Sequence, residues 1–135
     1  MKKLLTPFLS LVILSAVMTG GCSSPAGQSA AAAAIRAYAD PAAQTTMEGL
    51  SENNLGKYTQ YGDAQFKAAV TQAVFDQVYG QINSQLGTLV SITFSSTENQ
   101  SPYIIVHYKA KYSKGDAGIR MVFDQDHLVA GQFFE

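Results

Sequence analysis

Only one cysteine, Cys22, occurs among the 135 residues, so the chain has no partner for an internal disulfide bridge. Histidine is almost as scarce: His107 and His127 lie far apart, and neither has a second ligand at the spacing of a metal motif. Asp124, Asp126 and His127 could surround a cation, but aspartates between two strands more often hydrogen-bond their own backbone. We therefore expect a turn there, and neither a metal nor a cofactor.

Three motifs of catalysis are also missing. The sequence has no Gly-x-Ser-x-Gly nucleophile elbow, no phosphate-binding loop and no His-Glu-x-x-His helix. Serine hydrolysis and nucleotide chemistry therefore have no support from the sequence.

Basic residues are few, at nine Lys and Arg against ten Asp and Glu. Lys2 and Lys3 lie in an N-terminal segment that we expect to be removed. Without them seven basic residues remain against ten acidic ones, and the formal charge is −3. Nucleic-acid binding needs a concentrated basic face, so we expect no nucleic acid as a partner.

The N-terminus has the pattern of an export signal. Lys2 and Lys3 precede an apolar run at residues 4–18, and the small residues 19–21 follow it. The run has roughly 15 residues, whereas a membrane span needs roughly 20, so a permanent transmembrane helix is the weaker interpretation. We expect residues 1–21 to be a lipoprotein-type signal peptide.

The position of Cys22 resembles the lipidation site of prokaryotic lipoproteins, in which this cysteine is diacylated and becomes the new N-terminus. Two fatty chains, such as palmitate, give stable anchoring to a membrane, whereas one chain gives only marginal binding. The lipoprotein pattern prefers Leu three residues before the cysteine, where this chain has Thr19. Because Thr19 and Gly21 also suit an ordinary signal peptidase, plain secretion and an uncleaved anchor remain alternatives.

Residues 22–33 are predicted to be a flexible tether, because a small and uncharged segment cannot bury enough surface to offset its ordering entropy. The alanines at the end of this segment are strong helix formers and could begin the first helix. Residues 34–135 are predicted to form one folded domain, with no internal repeat.

Three helical segments are expected at the start of this domain. Apolar residues at three- and four-residue steps predict a helix over residues 35–50, with a kink or restart where Asp40 precedes Pro41. Asp63 is predicted to cap a short helix and Thr71 to cap a longer one. The apolar stripe of the longer helix is expected to contain Val70, Val74, Val78, Ile82 and Leu86, widened by Phe75 and Tyr79.

Gly87 is predicted to end the long helix in a left-handed conformation, and the apolar period then changes to two. β-Branched residues and alternation predict four strands, at residues 89–97, 103–112, 119–123 and 128–134. Residues 113–118 have the chemistry of a hairpin. The sequence thus predicts an α+β fold with about three N-terminal helices packed on a four-stranded antiparallel sheet.

Seven short motifs appear in a fixed order along this domain. They are D-P at 40–41, GL-x-x-N-N at 49–54, F-K-x-A-x-T at 66–71, LG at 86–87, YIIVHYKAKY at 103–112, IRMVFD at 119–124 and VAGQFF at 129–134. Together they resemble domain-of-unknown-function family 3887, over about residues 34–135. The resemblance implies helices on a curved antiparallel sheet, similar to the nuclear-transport-factor-like, cystatin-like cone. It implies no catalytic residues, and fold alone does not give function.

Cone-shaped sheets of this kind can enclose a pocket between helix and sheet, where some relatives transfer protons. Such a site needs an Asp or His base and Tyr donors on the concave side. Alternation points Tyr108 and Tyr112 inward and His107 outward, so His107 is on the wrong side for that mechanism. We expect both tyrosines to be core residues whose hydroxyls reach polar partners.

The outward face of the sheet is predicted to carry apolar residues rimmed by charges, which is typical of an interaction surface. The candidate surface residues are Ile105, His107, Val122 and Phe133. Val129 is expected on the same face, beside Lys109, Lys111 and Arg120. A homodimer through this face is one expectation, and scattered surface apolar residues without a function are the alternative.

Tyr58 and Tyr61 lie beside glycines in a predicted loop and could line a ligand mouth, but such residues more often fix a loop to the core. The sequence as a whole predicts an exported, lipid-anchored, non-catalytic binding or structural module of the cell envelope, with an unknown ligand. The alternatives are a small pocket enzyme using acid/base chemistry and an accessory subunit of a separate envelope hydrolase. That last alternative is suggested by relatives in which the domain precedes an alpha/beta-hydrolase domain.

Overall fold

A computed structural model describes residues 25–135, so the predicted signal peptide and Cys22 lie outside the described residues. The helices in chain order are α1 (Pro25–Ser51), α2 (Leu55–Tyr58), α3 (Ala64–Ala69) and α4 (Gln72–Gln85). The strands are β1 (Leu89–Gln100), β2 (Tyr103–Tyr112), β3 (Gly115–Phe123) and β4 (Val129–Phe134). Within residues 25–135, no helix has the length and apolar character that crossing a membrane requires.

The four strands form one antiparallel sheet in the order β1-β2-β3-β4, in which each strand pairs with the next. The helices pack against one side of this sheet, which we call the inner face; the opposite side is the outer face. The chain is therefore an α+β fold with helices on a four-stranded antiparallel sheet, and the predicted fold class is confirmed.

Helix α1 is continuous and contains Pro41, so it does not restart at Asp40. Pro41 has no N–H to donate to the carbonyl four residues earlier. Packing maintains the helix, because the side chains facing the sheet are buried at three- and four-residue steps. These residues are Ala39, Ala42, Ala43, Thr46, Met47 and Leu50.

Helix α1 also begins earlier than the sequence predicts, at Pro25. Residues 25–33, expected in the tether, are therefore helical, while 22–24 lie outside the described residues. Elongating a helix that packing has already nucleated costs little, and alanine is the best helix former. Most of residues 27–34 are exposed, so this end of α1 projects beyond the core.

The three predicted capping residues have the predicted roles. The Asp63 carboxylate accepts a hydrogen bond from the N–H of Phe66 at 2.6 Å, and the Thr71 hydroxyl accepts one from Val74 at 3.4 Å. Gly87 has φ +81° and donates its N–H to carbonyls of the last turn of α4. A side chain at Gly87 would be strained and would meet the Ser113 hydroxyl.

The predicted apolar stripe of α4 is confirmed except at one position, Val74. Phe75 is 1% exposed, whereas Val74, predicted within the stripe, is 44% exposed. Adjacent residues lie about 100° apart around a helix of 3.6 residues per turn, so at the start of α4 Phe75 faces the core and Val74 is turned towards solvent. The other predicted stripe residues pack against the core: Val70, Val78, Tyr79, Ile82 and Leu86.

A bulge in β4 decides which of its side chains face the helices. Val122 pairs with Gly131, but the next residue, Phe123, pairs with Val129, so β4 uses one extra residue at this point. Val129 is consequently fully buried on the inner face. The prediction of Val129 on the outer face is wrong, because strict alternation does not continue through a bulge.

Candidate functional site on the outer face of the sheet

On the inner face, Asp40 and Tyr108 form the contact that most resembles an acid/base pair. The Tyr108 hydroxyl donates to Asp40 Oδ1 at 2.9 Å, and Arg36 Nε donates to Oδ2 at 2.9 Å. Burial, and then the bond to Asp40, raise the pKa of Tyr108, so its hydroxyl remains a neutral donor. Because both oxygens of the Asp40 carboxylate accept hydrogen bonds, the contact between Asp40 and Tyr108 links α1 to β2.

Two other inner tyrosines are also part of the core. Tyr58 packs on Phe66 and Phe75 and donates its hydroxyl to Gln132 Oε1 at 2.7 Å. Tyr58 therefore fixes helix α2 to β4. The Tyr112 hydroxyl has no hydrogen-bond partner within the described part of the chain. Burial raises the pKa of both Tyr58 and Tyr112 to about 12. Tyr61 is half-buried against the same core, which agrees with the expectation that this loop is fixed in place.

The Asp124–His127 connection is a turn, as predicted. Asp124 Oδ1 accepts hydrogen bonds from the N–H groups of Asp126 and Leu128, both at 2.9 Å. His127 has φ +62°, and its ring stacks on Tyr38 at 4.0 Å between centroids. Among residues 25–135, no three His, Cys, Asp or Glu side chains are grouped so that they could hold a metal ion.

The structure brings the four predicted surface residues together on the outer face. Ile105 pairs directly with Val122, and His107 pairs with Arg120 in the adjacent row. Arg120 in turn pairs with Phe133 on β4. Residues opposite one another in an antiparallel pair project to the same side, so these side chains form one continuous patch over three strands.

The patch contains a cluster of charged groups. His107 lies between two carboxylates, with Nε2 3.6 Å from Glu98 and Nδ1 3.3 Å from Glu135. Arg120 Nε is 3.8 Å from the other oxygen of Glu135, an ion pair longer than a hydrogen bond. A hydrogen bond from Gln100, followed by smaller effects of His107 and Arg120, lowers the pKa of Glu98. The second carboxylate, Glu135, has two nitrogen-bearing side chains beside it, His107 and Arg120.

The apolar residues of the patch are less accessible than the sequence suggests. Ile105 is only 6% exposed, although it lies outside the core formed with the helices. Phe133 is 47% exposed, and its ring extends over Gly131 and under the Arg120 guanidinium, 4.6 Å from the ring centroid. Gly131 is buried by this ring, and a Cβ there would lie 2.9 Å from it. The patch is thus a mixed surface in which Phe133 is the main exposed apolar group.

A depression of about 530 Å³ lies next to this patch, at the end of the face where β2 runs into β3. Its lining residues are Ser91, Thr93, Lys109, Ala110, Lys111, Asp116, Ala117, Gly118 and Glu135. Lys109 and Lys111 are predicted on this face, but only as a charged rim. The depression itself was missed, because it depends on which small residues of β1 and β3 stand beside them.

These features define a class of protein: a small α+β domain with a filled helix–sheet interior and an open, charged outer sheet face. Residues 43–131 match the family model described as "Protein of unknown function (DUF3887)". Because this match covers more than half of the chain, the protein belongs to that family, as the motif order predicts. No curated protein and no solved structure matches the chain.

Proposed function

We propose that this protein is an exported, lipid-anchored binding module of the cell envelope that uses the outer face of its sheet for recognition. The observation that carries the proposal is the contrast between the two faces. On the inner face, side chains fill the space between helices and sheet, and Asp40 and Tyr108 bind each other. The outer face presents charged groups, the exposed Phe133 ring and a depression large enough for a small ligand.

The start of α1 determines the spacing that an anchor at Cys22 would give the domain. Pro25, the first residue of α1, follows Cys22 by three positions. A helix rises 1.5 Å per residue, so residues 25–34 would hold the domain about 15 Å from the anchor. A diacylated Cys22 would thus place a short, stiff spacer between the membrane and the domain.

The test of the anchor is the intact mass of the protein purified from its native membrane, together with a Cys22→Ser variant. We expect a chain that begins at Cys22 and carries the mass of diacylglycerol, and we expect the variant to lose both the added mass and the membrane fraction. An unmodified wild-type chain recovered in the soluble fraction would contradict lipid anchoring. The variant then serves as the control for nonspecific membrane association.

A second copy of the chain is one partner that the outer face could bind. Three acidic residues (Glu98, Asp116, Glu135) and three basic ones (Lys109, Lys111, Arg120) face the same side, so the formal charges balance. Such a face does not repel its own copy. Sedimentation velocity of the wild-type chain and of Phe133→Ser tests this. Concentration-dependent dimers that Phe133→Ser removes would support the pairing, and a wild-type monomer at all concentrations would contradict it.

A pocket enzyme is the second candidate function, because Asp40 and Tyr108 supply the carboxylate and the phenol that such a site requires. An Asp40→Asn variant tests it without removing the neighbouring hydrogen-bonding groups. For a binding module, Asp40→Asn leaves the binding of partners by the outer face intact. The enzyme is favoured if cells with Asp40→Asn show the same defect as cells that lack the protein, while the fold and the binding of partners by the outer face are unchanged.

A further inference from the structure

We propose that the depression on the outer face is a site for a small oxyanion, a carboxylate or phosphate group held between Lys109 and Lys111. The inference rests on the proposed function as a binding module and names the chemistry of its ligand. Four features of the described residues support it: the placement of the two lysines, their lack of carboxylate partners, the free hydroxyls beside them, and the space above Gly118.

The two lysines are neighbours on one side of β2. They are two residues apart, so their Cα atoms are separated by about 6 to 7 Å and their side chains project to the same face. The register sets Thr93 and Ser91 of β1 opposite them on one side. On the other side, Gly118 stands opposite Lys109, and Asp116 stands opposite Lys111. The two lysines therefore stand on the central strand of a three-stranded surface.

Both ammonium groups lack a protein counter-ion. Among the described residues, no carboxylate oxygen lies within 4.0 Å of the Lys109 or Lys111 amine. Glu135, which also lines the depression, is already paired with His107 and Arg120. Two uncompensated cations on one wall attract an anion, and Asp116 opposes them with a single charge.

Neutral donors are present on the β1 side. Ser91 and Thr93 are exposed, and neither hydroxyl has a hydrogen-bond partner in the described part of the chain. An oxyanion in contact with the lysines has oxygens left over, which a hydroxyl can bind as a donor. Two lysines and two hydroxyl-bearing residues thus line the same depression.

The space depends on Gly118. Its N–H and carbonyl pair with Glu135 at 3.2 and 2.8 Å, so Glu135 lies close to this glycine. A Cβ at position 118 would lie 3.1 Å from the Glu135 Cβ and would have to displace it. The volume of about 530 Å³ falls within the range of small-ligand sites, roughly 300 to 1,000 Å³.

The test is a titration of the isotope-labelled full-length chain in nonionic detergent, followed by amide chemical shifts. Inorganic phosphate and sodium acetate are added in separate arms, each against sodium chloride at equal ionic strength. We expect saturable shifts confined to the amides around Lys109, Lys111 and Gly118. The arm with the stronger binding identifies the oxyanion as a phosphate or a carboxylate.

Three variants make the result specific. Lys109→Gln and Lys111→Gln should each weaken binding by about tenfold, since each removes a charge-assisted hydrogen bond. Lys67→Gln, which removes an exposed lysine of α3, should change binding by less than about twofold. Asp116→Asn should strengthen binding, because it removes the one uncompensated negative charge at the site.

The inference is overturned by shifts of the same size in sodium chloride, or by equal losses in Lys67→Gln and Lys109→Gln. It is also overturned by a combination of two results: Lys109→Gln abolishes a dimer, and neither phosphate nor acetate shifts the amide signals. A second copy of the chain would then cover the depression. Lipidation of Cys22 is measured independently by mass. A lipidated protein that binds neither anion would refute the oxyanion site and leave the envelope proposal standing.

Discussion

Strand β2 has two sides with different roles. Its inner residues, Val106, Tyr108, Ala110 and Tyr112, are all buried against the helices. Its outer residues alternate with these, and from His107 onward they are polar and accessible. The same ten residues therefore supply part of the core and part of the candidate binding surface. Because alternate side chains point to opposite faces, the two roles can change independently of each other.

This separation is strongest for two phenylalanines of neighbouring strands. Phe123 is fully buried on the inner face, and Phe133 is 47% exposed on the outer face. We expect Phe123→Ala to lower the free energy of unfolding by about 3 to 5 kcal/mol, because it leaves a cavity. Phe133→Ala should cost less than about 1 kcal/mol. Urea denaturation of both variants measures the difference, and equal losses would mean that Phe133 is part of the stabilising core.

Alkaline pH should weaken the inner face selectively. Burial raises the pKa of Tyr58 and Tyr112 from 10.0 to about 12. Since the folded-state pKa is the higher one, their contribution is fully present below pH 10 and is lost as the pH rises through 12. A shift of this size corresponds to a loss of at most about 2 to 3 kcal/mol for each tyrosine. Urea denaturation between pH 8 and 12 measures the loss, which should be smaller in Tyr112→Phe.

An unchanged free energy of unfolding up to pH 12 would contradict the burial of these two hydroxyls. The same would follow if Tyr112→Phe lost stability over this range as steeply as the wild type.

The same two tyrosines differ in hydrogen bonding. They are 6% and 4% exposed, but only Tyr58 has a partner, Gln132, for its hydroxyl. Tyr58→Phe leaves a partly buried amide without its bond and should cost about 1 to 2 kcal/mol. Tyr112→Phe removes a hydroxyl without a protein partner and should be neutral within about 0.5 kcal/mol. Thermal unfolding of the two variants provides the comparison, and a larger loss in Tyr112→Phe would contradict it.

The smallest effect is expected for the charges of the outer face. Glu135→Gln removes the carboxylate between His107 and Arg120. The exposed fractions of these side chains are 45% for Glu135, 25% for His107 and 40% for Arg120. Exposed ion pairs contribute little, so the free energy of unfolding should change by less than about 0.5 kcal/mol. Urea denaturation in low and in high salt measures this. A loss of several kcal/mol that persists in high salt would show that the outer cluster stabilises the fold.

Local chemistry made several elements of the fold predictable. Asp63, Thr71 and Gly87 mark helix ends because each satisfies backbone groups within four or five residues of itself. The strand at residues 103–112 was predicted with the bounds that the structure has, since its alternation is uninterrupted. The inner positions of Tyr108 and Tyr112 followed from the same alternation.

Other features depend on contacts that no local pattern contains. The bulge between Val122 and Phe123 moves Val129 into the core, and only the pairing of β4 with β3 reveals it. The hairpin turn is confined to two residues, because Tyr112 pairs with Gly115 rather than with a later residue. The depression needs Ser91 and Thr93 of β1 beside Lys109 and Lys111, and the β1 register contains a shift of its own.

The sequence by itself determined the family, the order of helices and strands, the caps of α3 and α4, and the side of β2 that faces the core. The family follows from the order of the short motifs. The order of elements, the caps and the inner side of β2 follow from hydrogen bonds and periodicity within a few residues of each position. Tertiary structure alone decided the pairing of Asp40 with Tyr108, the buried position of Val129 and the site around the two lysines. Each depends on residues distant in the chain, whose contacts a local pattern does not contain, and in the case of Val129 a bulge shifts the register that simple alternation predicts.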